Sequence, residues 1–292
     1  MSAGIEIRSA LPEPIAPAPA RRRGLPVSLL IGLVLLAAVG IIGVVSLLWL
    51  PYDLADTTGG RLEPPGPNHW LGTDKLGRDT ASFVMVGTRI ALTVGLSSMA
   101  IAMAIGVIVG LIAAFATGWV DDVQSSLLDV VIAFPTLLLA MLIGAMQGAS
   151  LTSAVVSIGL AASAVVARLT RILAKGLLRR QFVTAARTSG TSWLRIVFIH
   201  LLPNMWPTLV VTAALIFGTA VLAEASLSYL GLGVPPPNSS LGRLLQGAQS
   251  TVLTAPWGAV APGVVILVIV LGANSLADGL RERFDPTRRE RR

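Results

Sequence analysis

From Val130 to Ala167 the chain runs for 38 residues without an Asp, Glu, Lys, Arg or His. As a single helix this stretch would be about 57 Å long, nearly twice the ~30 Å hydrocarbon core of a bilayer. It offers no charged face to water, so it belongs in lipid, and to fit there it must fold back on itself. The break falls at Gly144-Ala-Met-Gln147-Gly148-Ala-Ser150, which predicts one span near 126–146 and another near 151–173. The stretches Gly24–Tyr52 and Ile90–Val120 are likewise free of charge, and Trp206–Leu230 is apolar but for Glu224. A last one covers Trp257–Leu276. The expected fold is an all-α polytopic membrane protein with six transmembrane helices.

Composition agrees. Charged residues are 13% of the 292 and mean hydropathy is +0.78, whereas a soluble domain carries about 25% charge. The same figures exclude a disordered chain, which is polar and highly charged. With no cysteine, the chain cannot hold a disulfide framework, an iron–sulfur cluster, a zinc–thiolate site or a cysteine nucleophile. Its two histidines, His69 and His200, are distant in sequence and predicted to lie on opposite sides of the membrane, so neither a metal site nor catalytic residues are expected.

The first apolar run exceeds the roughly 7–15 residues of a secretory signal core and closes on Leu48-Trp49-Leu50-Pro51. It reads as an uncleaved span over 27–50 with Trp49 and Tyr52 at the interface. Before it, residues 1–26 form a Pro/Ala-rich tail containing Pro12, Pro14, Pro17 and Pro19. In the second span, Gly106-x-x-x-Gly110 suits close helix packing. Lys and Arg set the orientation. With both termini inside, 17 of the 22 basic residues lie on inner segments, and only Arg61, Lys75, Arg78, Arg89 and Arg243 lie on outer ones. The remaining sections are an outer loop (51–88), a core (89–280) with an inner loop (174–204), and a basic tail (281–292). Arg168 and Arg171 read as topology determinants, and Asp129 as an acid at the start of the third span.

The inner loop reads as helix, turn, helix. Phe182, Ala185 or Ala186, and Ser189 share one helical face. Gly190 fits the position just past a helix end, and Thr191 or Ser192 then caps a second helix. Both ends are tethered to spans, and the face around Ala185 and Ala186 is small and uncharged. That suits insertion into a protein groove better than docking on nucleic acid.

Ala185-Ala186-x-x-x-Gly190, with Ile196, Phe198, Ile199 and Leu202-Pro203 after it, resembles the coupling motif of ATP-binding-cassette importer permeases. His69-Trp-Leu-Gly-Thr-Asp-Lys-Leu-Gly-Arg-Asp79, Phe134-Pro135, Glu224-Ala-Ser-Leu-Ser-Tyr-Leu-Gly-Leu-Gly233, Asp278-Gly-Leu-Arg281 and Asp285-Pro286 narrow the match. Together they are similar to one permease of the dipeptide/oligopeptide/nickel importer family, over nearly all of the chain beyond residue 26. The resemblance implies a type I importer permease in a bacterial cytoplasmic membrane that moves solute by alternating access. It also implies a homologous second permease, two ATPase subunits that carry ATP and Mg²⁺, and an extracytoplasmic solute-binding protein. Phe182, Thr184, Ala185, Ala186, Arg187 and Gly190 become the ATPase-coupling residues. Thr184 stands where the family usually has Glu, and Thr191 where Ala is common.

This chain has no phosphate-cradling GxxxxGK[ST], because Lys75 and Lys175 are followed by Leu and Gly. Nucleotide hydrolysis therefore has to come from another polypeptide. Gly231-Leu-Gly233 runs into prolines and reads as a turn. Glu224 lies near the outer end of the fifth span, where an acid must face the bundle or a water-filled path. Lining or gating the solute path and a structural partnership are its two readings. In the outer loop, Thr73 or Asp74 is expected to cap a short interfacial helix. A secondary transporter or channel not powered by ATP is the alternative, although neither an inverted repeat nor mid-membrane ionisable residues are visible.

Overall fold

The structure, a computed structural model, describes residues 25–235 and 239–284. The Pro/Ala-rich tail as far as Gly24, the basic residues after Phe284, Asp285-Pro286, and Pro236, Pro237 and Asn238 lie outside the described residues. In chain order the helices are α1 (Val27–Leu48), α2 (Thr80–Phe115), α3 (Trp119–Ala133), α4 (Thr136–Gln147) and α5 (Leu151–Leu178). They are followed by α6 (Gln181–Thr188), α7 (Trp193–Ile196), a π-helical turn (Val197–Leu201), α8 (Leu202–Tyr229), α9 (Leu241–Ala248) and α10 (Trp257–Phe284). Five elements are long and apolar enough to cross a membrane: α1, α2, α5, the continuous run Trp193–Tyr229, and α10. The pair α3 and α4 makes a sixth if it is one broken span.

That pair departs from the straight span expected over 126–146, since Trp119–Ala133 and Leu137–Met146 meet at 87°. A residue before proline is pushed out of the helical region, and Phe134 is extended at φ −71°, ψ 128° ahead of Pro135. The fold-back itself lies where the glycines placed it. Gly148 has φ +79°, and Ser150 then opens α5 with a reciprocal capping box to Ser153. Other bounds shift outward: α2 begins ten residues before Ile90, at Thr80, and α10 continues past Leu276 to Phe284.

Small residues set how closely the helices approach. A Cβ on Gly110 would lie 2.4 Å from the Ala167 carbonyl oxygen of α5, and one on Gly279 would lie 2.3 Å from the Leu29 backbone of α1. Packing of this kind replaces the hydrophobic drive that lipid removes. The apolar side chains left outside, such as Leu30, Ile41, Leu96 and Ile108, are about half exposed or more, as a lipid-facing surface requires.

Charges also clamp the bundle. Asp129 is not at the start of a span; it lies late in α3 and pairs with Arg168 at 3.1 Å, while Asp121 and Asp122 occupy the first turn. Asp121 takes Arg171 at 2.5 Å and also Lys175. The arginines read as topology determinants therefore also tie α3 to the end of α5.

Candidate functional site

At one end of the bundle the chain breaks after Leu178 and re-enters a helix at Gln181, with Arg180 extended at the N-cap. Helix α6 is held down by Val183, which is fully buried with Ala114, Ala174, Ile196, Leu201 and Met205. This cluster gathers the ends of α2 and α5 with α6, α7 and the start of α8, so the short helix shares one core with three long ones. The far end of α6 is closed by a paired C-terminal motif. The Thr191 amide donates to the Ala186 carbonyl at 3.1 Å, and the Gly190 amide donates to Arg187 at 3.0 Å. Both bonds need a left-handed residue between helix and exit, and Gly190 has φ +76°.

The outward face carries Phe182 (43% exposed), Thr184, Ala185 and Arg187. The Thr184 side chain makes no hydrogen bond among the described residues, while Thr188 and Ser189 both donate to the Ala185 carbonyl. Ala186 turns inward and is partly buried against the Val183 cluster. The two alanines, equivalent in the sequence, thus have different surroundings. Arg187 places its guanidinium 4.3 Å from the centre of the Trp193 ring. That indole meets Phe115, the last residue of α2, edge-on at 5.0 Å. Phe182 lies 6.0 Å from the His200 ring. Sequence reasoning missed Phe115, Trp193 and His200 as partners of α6, because a spacing of six residues or more carries no contact signal.

The second helix of the inner loop is not a separate element. It runs through the π-helical turn into α8, where Pro203 sits in the first turn and Pro207 inside. Proline removes an amide and crowds the preceding carbonyl, and the widened turn lies immediately ahead of Pro203. The Asn204 side-chain amide donates to the His200 carbonyl at 2.6 Å beside this turn. Helix α7 is thus continuous with the fifth span through the π-helical turn, with Pro203 and Pro207 at the joint.

Glu224 is fully buried in α8. Its Oε1 accepts from Ser228 at 2.7 Å; its Oε2 is buried and has no hydrogen-bond partner among the described residues. Ser228 itself packs against Gly233. The turn read at Gly231-Leu-Gly233 is present, with Gly231 at φ +85° and Leu232 donating to Leu227 at 2.9 Å.

At the opposite end, the HxLGTDxxGRD stretch forms a knot at the start of α2. His69 donates from Nδ1 to Asp79 Oδ1 at 3.0 Å, and Asp79 Oδ2 accepts from the Ser82 amide at 2.7 Å as the α2 cap. The expected cap at Thr73 or Asp74 is not formed, and no helix lies between Leu48 and Thr80. Asp74 instead folds a turn, taking the amides of Leu76 and Arg78 and pairing with the Arg78 guanidinium at 2.6 Å. Gly72 and Gly77, at φ +70° and +78°, make the turns that bring His69 back to Asp79. Thr73 accepts from the Glu63 amide and donates to the Gly60 carbonyl, so His69, Thr73, Asp74, Arg78 and Asp79 all hold the loop. Beside the knot a cavity of about 430 Å³ opens, with Lys75 and Arg243 among its lining residues.

A bundle of membrane-crossing helices, with a short amphipathic helix fixed across one end and a structured loop at the other, is the architecture of a transport permease. Residues 106–290 match the family described as the binding-protein-dependent transport system inner membrane component. The dipeptide transport system permease protein DppC of Alkalihalophilus pseudofirmus is 36% identical over 258 residues, covering 88% of this chain and 85% of that protein. The di/tripeptide transport system permease protein DppC of Pseudomonas aeruginosa is 38% identical over 81% of this chain and 80% of its own length. The glutathione transport system permease protein GsiD of Pectobacterium atrosepticum is 38% identical over 81% and 79%. The chain belongs to the family of inner-membrane permease components of binding-protein-dependent transport systems.

Proposed function

We propose that this chain, paired with a homologous second permease, imports short peptides, and that α6 is the contact through which partner ATPases drive it. The observation that carries this reading is the position of α6. Its outer face presents Phe182, Thr184, Ala185 and Arg187, while its inner face shares a core with the ends of α2, α5 and α8. A push on the outer face is carried through that shared core to three spans, driving a rigid-body switch between two access states. ATP and Mg²⁺ act on the ATPase subunits, and an extracytoplasmic binding protein delivers the solute to the end that carries the HxLGTDxxGRD knot. The transport systems named for the similar permeases, for dipeptides, di/tripeptides and glutathione, support a short-peptide solute. Glu224 is assigned a structural role on its complete burial.

Orientation follows the 17-to-5 distribution of basic residues, with both termini and α6 cytoplasmic. The test has two parts. Cysteines at 60 and 190 should be labelled by an impermeant reagent from opposite sides of the membrane. In vesicles holding the full complex, uptake of a labelled dipeptide should require binding protein and ATP, and a cysteine at 185 should cross-link to an ATPase subunit. Uptake that persists without ATP, or that follows an ion gradient instead, would replace this reading with a secondary transporter.

A further inference from the structure

Arg89 lies ten residues into α2, inside a span, and is half-buried. Its Cα packs against Gly43 of α1. From there the guanidinium donates to the Ser46 carbonyl at 3.3 Å, a long hydrogen bond and its only one among the described residues. No carboxylate pairs with it among the described residues. An arginine in a span is costly unless something answers its charge. Here the side chain rises from the level of Gly43 to that of Ser46, one helical turn short of Trp49. Trp49 and Trp70, with ring centres 6.1 Å apart and both more than half exposed, mark the interfacial layer. The guanidinium thus stops just beneath headgroup depth.

Below it runs a groove of about 570 Å³ between α1, α2, α8 and α10, lined by Leu36, Gly40, Val44, Leu96, Phe217 and Leu276 among others. Among the described residues Arg89 is the one charged residue in its lining. Val44 and Leu96 are more than half exposed, and a Cβ at Gly40 would meet nothing within 4 Å. The groove is therefore open, apolar along its length and cationic at one end, the end nearest the interfacial Trp49 and Trp70.

We propose that this groove is a binding site for an anionic phospholipid, with an acyl chain along Gly40 and Val44 and the phosphate on Arg89. Charge and depth select this occupant. A zwitterionic lipid brings no net charge to the guanidinium, and a neighbouring apolar helix would leave it unanswered.

The test uses the assembled transporter, washed in detergent and examined by native mass spectrometry after equilibration with phosphatidylglycerol or phosphatidylcholine. The unmodified complex should retain phosphatidylglycerol preferentially. Arg89→Gln should lower that preference roughly tenfold, the scale of one charge-assisted hydrogen bond, and Arg89→Lys should keep most of it. Gly40→Leu, which places a side chain in the groove, should reduce retention of both lipids. If Arg89→Gln fails to accumulate, the Lys and Leu variants decide the matter. Undiminished retention in Gly40→Leu, or an unchanged preference in Arg89→Gln, overturns the proposal. So does efficient cross-linking of a cysteine at 40 to the second permease, which would make the groove a helix interface.

Discussion

Arg187 and Trp193 are stacked across the turn that ends α6, with the guanidinium carbon 4.3 Å from the ring centre. Because the same indole meets Phe115 at the end of α2, the pair joins the exposed short helix to a long one. A cation–π contact of this kind contributes about 0.5–1 kcal/mol at a surface, enough to bias a helix position without being needed for folding. Arg187→Gln is expected to leave complex yield unchanged and to lower binding-protein-stimulated ATP hydrolysis several-fold. Stimulated hydrolysis at the unmodified rate would remove this contact from the coupling route.

Gly190 is exposed, and a Cβ there would meet no neighbour within 4 Å. Any cost of substitution is therefore conformational, about 1–2 kcal/mol or more for a β-branched residue at φ +76°. Gly190→Val should preserve membrane insertion and permease pairing but abolish stimulated hydrolysis, whereas Gly190→Asn, which tolerates this region, should retain most of it. Normal transport by Gly190→Val would withdraw the coupling role of the loop.

The alanine pair separates docking from packing. Ala185 faces outward and Ala186 packs against the Val183 cluster. Ala185→Glu should weaken ATPase co-purification while leaving the thermal stability of the permease pair unchanged. Ala186→Glu should lower both, because it brings an unpaired carboxylate to an apolar core at a cost of several kcal/mol. Equal melting temperatures for the two variants would contradict this division. Thr184→Glu, on the outward face, should be tolerated and should tighten ATPase binding in the same pull-down.

For Glu224, Gln keeps a carbonyl acceptor for Ser228 and Leu does not. Glu224→Leu should therefore reduce the yield of assembled permease, and Ser228→Ala should cost about 1–3 kcal/mol by stripping a buried acceptor, while uptake per assembled complex stays near normal. Normal yield with lost uptake in Glu224→Gln would place this acid on the solute path instead.

The apolar spans, the fold-back near Gly148, the turn at Gly231 and the helical break at Gly190 were legible in the amino-acid sequence. Each depends on local chemistry: lipid demands a run of uncharged residues, and a left-handed backbone demands glycine. The motifs that marked the family were equally legible as strings, but not their purpose. Only the folded chain shows that His69 and Asp79 close a loop and that Asp79, not Thr73 or Asp74, caps α2. The bend at Pro135 was present in the sequence as a proline, yet its 87° angle depends on where α3 lies, and Asp121 holds α3 to Arg171 and Lys175 across some fifty residues of chain. Which of Ala185 and Ala186 faces out, and what Arg187 touches, were decided by tertiary packing. Periodicity defines a helical face only to within a residue, and the direction of that face is set by what the buried Val183 finds beneath it.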